Sequence, residues 1–398
     1  MNRSADGSAD PVLPDSELDA RDRAFAQRIR DFAREELLPH ARVIDEEERF
    51  RPEMVEALAT AGILGGPISR DDGGSGWTAF ELALAHEEIG SVCGNARGFL
   101  AVHTGLVSQC LERNGSETQK REILPALVAG TKIGCFGLTE ADAGSDIGAM
   151  ATTATAVDGG FVLRGRKIWI TNGGIADVAL VFANADPARG KDGITAFLID
   201  TSSPGLRRTR MPGRDLGHRG SDHAQLEFEG VFVPTDRVVG QVGDGFRIAL
   251  DGLHHGRLSV AAGAVGIHRA ALAASRDFAT KRVQFGRTID RFQMVQERLA
   301  DMTVELLAAR ALVWRCAHRR DRGLETPLDI AAAKLYATEA AARACDQAVI
   351  LHGGRGYSTE YPVERLLRDV MGLRIYEGTT LIQKGLVARA VTATGTQT

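Results

Sequence analysis

Near the C-terminus, Arg374-Ile375-Tyr376-Glu377-Gly378-Thr379-Thr380 sets one carboxylate between two bulky apolar residues and a glycine followed by two hydroxyls. Residues 381–387 have apolar spacing that fits a helix, so Glu377 falls at or just before a helix N-terminus. The helix dipole there favours a negative charge, whereas an apolar pocket around Ile375 and Tyr376 raises a carboxyl pKa. A carboxylate pulled both ways suits general-base catalysis. A capping Glu on an ordinary terminal helix is the competing reading of this stretch alone.

Four further stretches carry chemistry. Residues 135–146, CFGLTEADAGSD, leave a strand for a loop dense in glycine and hydroxyls, where backbone N–H groups and Thr139 or Ser145 can reach a planar polar ligand or a phosphate. Residues 167–174, KIWITNGG, again run from strand into glycine turn and offer Trp169 as an aromatic wall beside Thr171. Residues 282–287, RVQFGR, followed by Gln293, put basic and aromatic groups just ahead of a long helix, which suits phosphates. The glycines of 352–357, HGGRGY, permit close backbone approach. Each has a bland counterpart: a generic glycine loop, a core Trp, a solvated helix-helix turn and a helix C-cap. Arg97 stands at the start of a helix, where a cation opposes the dipole, and pairing with Glu87 or Glu88 at the surface is its ordinary explanation.

The elements that must hold these groups follow from composition and period. The 398 residues suffice for two or three domains. The hydrophobic content of 44% is that of a globular protein, and the net charge of -4 gives no reason to expect nucleic acid or an anionic membrane surface. No uninterrupted apolar run approaches bilayer length. The acidic, Ser/Gly/Pro-containing segment 1–18 reads as a disordered tail of a cytoplasmic protein. The five cysteines are scattered without a CxxC, which fits a reducing compartment and points to no metal site.

Residues 19–132 are helical in pattern, with Pro52 opening one helix, a second over 78–91, a third over 97–113 and a Ser116/Gln119 capping box opening the next. Between 133 and 243, seven β-rich runs predict an antiparallel barrel or sandwich, at 133–138, 151–157, 161–170, 178–183, 194–199, 206–211 and 224–228. Asp158-Gly159 signals a hairpin whose loop length Gly160 leaves open. From 244 to 398, long amphipathic stretches predict a helical bundle.

In this order, the five motifs resemble the acyl-CoA dehydrogenase family over about residues 19–391. The resemblance implies an α+β multi-domain fold: an N-terminal helical domain, a middle β domain and a C-terminal four-helix bundle. It implies FAD bound between the last two. Phe136, Leu138, Thr139, Gly144, Ser145, Trp169 and Thr171 would line the flavin of their own subunit. Arg282, Gln284, Phe285, Gln293, Gly353 and Gly354 would reach the neighbour's FAD in a homotetramer built as a dimer of dimers, and Thr379 would contact the cofactor beside the base. Glu377 matches the family's base, removing the α-proton of an acyl thioester while the β-carbon passes hydride to the flavin. Its N–H and the flavin ribityl chain would stabilise the enolate. Arg97, Ser145, Arg257 and Gly378 would meet the substrate. Acyl-CoA is the implied substrate, with an acyl group on a carrier protein as the alternative and electron-transfer flavoprotein as the acceptor. The intact Glu377 disfavours the monooxygenases of this fold.

Departures bear on the substrate. Relatives that carry their base on the helix of Arg257 have it where this chain has Gly256, which cannot act. Leu253-His254-His255 replaces the usual acidic or amide contact to the pantetheine, so a packing role or a contact to a phosphopantetheine arm is expected of the His pair. Ile350 stands where a Gln commonly helps hold the neighbour's FAD. Around Arg97 the chain resembles the glutaryl-CoA dehydrogenase and hydroxymalonyl-carrier-protein dehydrogenase branches, which implies that Arg97 meets a carboxylate or other polar acyl group.

Overall fold

The computed structural model describes residues 17–393. Most of the expected tail lies outside the described residues, while Leu18 is buried in the helical core. Asp19 caps α1 (Ala20–Phe32) by accepting from the Asp22 N–H, and the helix buries Phe25, Ala26 and Ile29. α2 (Leu38–Glu47) and α3 (Pro52–Thr60) follow, the latter with proline at its first position, where no N–H is missed. The Thr78/Glu81 capping box opens α4 (Ala79–Gly90). From residue 94 to 114 the chain is helical throughout: α5 (Gly94–Leu100), a π-helical stretch (Ala101–Ser108) and α6 (Gln109–Asn114). This run begins before Arg97 rather than at it, because Gly94 and Gly98 blur the apolar period at its start. α7 (Glu117–Val128) carries the expected Ser116/Gln119 box.

All seven expected strands are present: β1 (Gly134–Gly137), β2 (Thr153–Val157), β3 (Gly160–Ile170), β4 (Val178–Asn184), β5 (Ile194–Asp200), β6 (Leu206–Arg210) and β7 (Ala224–Pro234), joined by a two-residue β8 (Val238–Val239). Their order is β6-β7-β3-β2-β4-β5-β8, with β1 beside β4. The pairings are antiparallel except β1 with β4 and a single β2–β4 pair, Thr153 with Asn184. Val157 faces Gly160, so Asp158-Gly159 is a two-residue hairpin loop, with Gly159 at φ +77.

The β3–β7 register slips between Lys167 and Ile170, and Trp169 takes a left-handed φ of +57. A bulge of this kind re-aims side chains. Trp169 turns outward and is 52% exposed, while Lys167 points in and is fully buried. The Lys167 Nζ lies 2.6 Å from Glu140 and 3.1 Å from the Leu138 carbonyl, and Glu140 accepts from the Ala151 and Thr152 N–H groups. One buried ion pair thus ties the glycine-rich loop after β1 to β3.

The C-terminal part holds α8 (Gly245–Lys281), the small hairpin β9 (Val283–Gln284) and β10 (Arg287–Thr288), then α9 (Gln293–Asp321), α10 (Pro327–His352), α11 (Val363–Leu373) and α12 (Thr380–Ala393). α8 packs against α4, α9, α10 and α11 and is the central element of the fold. By length and composition α8 alone among the described helices is apolar enough to cross a bilayer, and most of that stretch is buried inside the protein. Removing one partner of a buried pair strands the other charge. Lys167→Met should therefore cost about 3 kcal/mol, read as a lower urea midpoint; a midpoint equal to the parent's would refute the tie.

Candidate active site

Glu377 lies in the turn between α11 and α12, in the left-handed region at φ +55, followed by Gly378 at φ +93. That conformation costs a non-glycine residue about 1 kcal/mol, and three side chains hold it. Arg257 of α8 donates Nε–H to the Glu377 carbonyl (3.0 Å). Gln383 of α12 donates to the carbonyls of Glu377 (3.3 Å) and Gly378 (3.0 Å). Lys334 of α10 donates to the Gly378 carbonyl (2.8 Å). With both carbonyls turned inward, the Glu377 N–H finds no acceptor among the described residues.

The Glu377 carboxylate is buried, and its Oε2 has no hydrogen-bond partner among the described residues. Burial pushes its pKa up to about 7, against the pull of Arg97, Lys334 and Arg257. Loss of water therefore outweighs the neighbouring cations and the dipole of α12. The space for the carboxylate comes from α8: a Cβ on Gly256 would stand 2.5 Å from Oε2. The Glu377 carboxylate thus fills the space that the missing side chain at 256 leaves.

Glu377 opens onto a cavity of about 640 Å³. Its walls include Phe136 of β1, Leu138 and Thr139 just after it, Trp169 and Thr171 at the end of β3, Leu253 of α8, and Arg97, His218 and Tyr376. Five of the expected flavin contacts are thus brought together with the base and Arg97. The exposed Trp169 ring and the two threonines fit a planar ring system with polar edges. Gly144 and Ser145 stand on the exposed loop beyond the cavity wall. Arg257 and Gly378 lie behind Glu377 as parts of its clamp, and Thr379 accepts from the Ile382 N–H (3.3 Å) at the start of α12.

Arg282, Gln284, Phe285, Gln293, Gly353 and Gly354 form a separate group, none of them on the cavity. The ends of α8 and α10 meet there through stacked Phe278 and His352. Phe285 is 94% exposed at φ +52, and its ring meets that of Phe292 edge-on, with centroids 6.2 Å apart, leaving most of its surface bare.

Arg97 overturns the surface-pair expectation. It is 1% exposed, and Glu87 and Glu88 are engaged by Arg269, Arg310 and Arg30 instead. Its Nη2 donates to the Tyr376 hydroxyl, and its Cζ lies 5.4 Å from the centre of that ring. Nε and Nη1 have no partner, and no carboxylate of the described residues lies within ion-pair distance. Burial, reinforced by the Arg97 charge, lowers His86 and His218 to about 3, so both stay neutral.

The residue pattern gave Tyr376 only as an apolar neighbour of the base and did not single out His218, Lys334 or Gln383 as parts of this site. Lys334, a cation directly after the three alanines 331–333 of α10, was the one legible signal. His254 and His255 go separate ways, to Glu325 (3.3 Å) and to the Asp251 carbonyl (2.9 Å).

A base must be ionised to act, and Glu377 ionises above about 7. For an uncharged acyl thioester, kcat/KM should rise with pH up to about 7 and then level. Because Arg97 lowers that pKa, Arg97→Ala should move the rising limb to higher pH; a limb that stays in place contradicts the coupling. Gly256→Ala should cut kcat by displacing the carboxylate, roughly 10-fold or more, with the absorbance of bound flavin retained.

Models of the acyl-CoA dehydrogenase N-terminal, middle and C-terminal domains match residues 19–131, 135–231 and 243–392. The chain is 40% identical over 362 residues to the short-chain specific acyl-CoA dehydrogenase of Clostridium acetobutylicum, covering 91% of this chain and 95% of that one. A chain solved in work on the electron transferring flavoprotein of Acidaminococcus fermentans superposes with a TM-score of 0.91 at 35% identity, covering 94% of this chain and 98% of that one. A glutaryl-CoA dehydrogenase from Mycobacterium smegmatis in complex with FADH2 superposes with a TM-score of 0.90 at 32% identity, covering 94% and 95%.

Proposed function

The chain belongs to the acyl-CoA dehydrogenase family, and from that footing we propose that its substrate is a short acyl thioester whose far end carries a carboxylate or a comparable anion. The chain is an FAD-dependent acyl-CoA dehydrogenase. Bound FAD supplies the oxidant that accepts the β-hydrogen with its electron pair. The protein's own part is to take the α-proton on the unpartnered Glu377 Oε2, offer the free Glu377 N–H to the thioester carbonyl, and keep water from the base.

The observation that carries the substrate reading is Arg97. A buried guanidinium without a counter-ion is costly, and Arg97 lines the cavity with two nitrogens that have no partner among the described residues. A carboxylate on the acyl group would supply the missing counter-ion. The glutaryl-CoA dehydrogenase among the similar structures supports the same class, and the short-chain relative supports a short acyl group. The second flavin group around Phe285 supports completion of the site by a neighbouring subunit of a homotetramer. The similarity to a chain studied with electron transferring flavoprotein supports that protein as acceptor.

Glu377→Gln should retain FAD yet slow anaerobic bleaching of the flavin by substrate roughly 10²–10⁴-fold; bleaching at the parental rate would refute the assignment of the base. Arg97→Ala should lower the kcat/KM ratio of dicarboxylyl over uncharged acyl thioesters roughly 10- to 100-fold, as expected for a hydrogen bond to a charged group. A ratio left as it was removes the anionic substrate class. Peroxide released in proportion to turnover would replace the electron-transfer acceptor with oxygen.

A further inference from the structure

Tyr376 holds the tip of Arg97, but the stem is seated on a missing side chain. α8 runs beneath it at Gly263, where an added Cβ would stand well under 3.0 Å from Arg97 Cδ, 3.1 Å from Nε and 3.3 Å from Cγ. Its three nearest neighbours all belong to Arg97. Two turns earlier on the same helix, Gly256 stands in the same relation to Glu377. α8 thus offers two notches on one face, one under the base and one under the cation, and both charged groups line the same cavity. Glycine inside a helix is a poor choice beside alanine, so its presence at 263 calls for a reason. The close crossing of α4 bears first on Gly90, whose added Cβ would meet the Gly263 carbonyl at 2.9 Å and its Cα at 3.0 Å, whereas a Cβ at 263 would meet Arg97 first.

We propose that Gly263 is a specificity-determining positioning residue: its notch seats the Arg97 stem, so selection of anionic acyl groups belongs to the Arg97–Gly263 pair rather than to Arg97 alone. The proposal rests on the reading of Arg97 as the contact to the acyl anion. With a side chain at 263, the stem must swing off α8, and the guanidinium leaves the place where Tyr376 and the cavity wall hold it. The loss should fall on KM for anionic substrates more than on kcat.

The test is a cycle of Gly263→Ala, Arg97→Ala and the double variant, each loaded with FAD and assayed with glutaryl-CoA and butyryl-CoA. Gly263→Ala should lower the glutaryl-to-butyryl ratio of kcat/KM roughly 10-fold, through KM. In the Arg97→Ala background it should change the ratio no further, and the Tm of the double variant should equal or exceed that of Arg97→Ala, since alanine is the better helix former. A parental ratio in Gly263→Ala, alongside a lowered one in Arg97→Ala, overturns the seat while leaving the Arg97 reading intact. Losses that multiply in the double variant overturn it too, because Gly263 would then act without Arg97. An unchanged ratio in Arg97→Ala sinks both. If Gly263→Ala alone does not fold, folding of the double variant supports the seat, and failure of both assigns Gly263 to the backbone crossing and overturns it.

Discussion

Two carbonyl oxygens, those of Glu377 and Gly378, are held by Arg257, Lys334 and Gln383, and the rest of the site depends on this clamp. It fixes a left-handed turn that a free chain would avoid. It also decides how two of the nearby cations act. Arg257 and Lys334 are bonded to carbonyls rather than to the carboxylate, so they reach Glu377 only through space. A direct ion pair would hold the carboxyl well below the usual range and leave a weak base. Instead burial prevails, and Glu377 titrates at about 7. The folded state then favours the protonated form, so its contribution to stability is present below the ordinary carboxyl range and is lost as pH rises through about 7. That loss is about 3 kcal/mol, and charge-assisted hydrogen bonds of about 1.5–3 kcal/mol each from Arg257 and Lys334 are of the size needed to offset it.

The contrast with Lys167 and Glu140 shows the difference between structural and functional charge. Both residues are buried, they meet each other directly, and two backbone N–H groups, one to each oxygen, complete the Glu140 carboxylate. The net effect keeps Glu140 below its usual value. Around the cavity the accounting is left open: Glu377 Oε2, Arg97 Nε and Arg97 Nη1 are all buried without partners. Native interiors rarely leave such groups unsatisfied. Such atoms occur elsewhere in the fold as well, as at His268 and Arg310, but Glu377 and Arg97 line one cavity, where a ligand can complete them.

Much of this was legible in the sequence, and what was not has a common cause. β-branched runs and turn residues locate all seven main strands, because those signals are local, whereas the resemblance of five motifs in order, rather than the composition of any one, picks out Thr139, Thr171 and Glu377. The burial of Arg97 is not local: α8, far along the chain, passes against its stem at Gly263, while Gly94 and Gly98 blur only the first turn of the helix that carries the arginine. The clamp is assembled from three helices, with no spacing to betray it. Trp169 reads as a core residue by type, and only the slip in the β3–β7 register turns it outward. The parallel β1–β4 pair likewise follows from a long connection rather than from either strand's composition.

Arg97 links substrate choice to base strength. Its field lowers the pKa of Glu377, and Tyr376, next in sequence to Glu377, holds its tip. An anion seated on the guanidinium would cancel part of that field. Glu377 would then be a stronger base toward an anionic substrate than toward an uncharged one, though ionised over a higher pH range. A pocket with three cations near one carboxylate is therefore poised for an acyl group that brings a second negative charge.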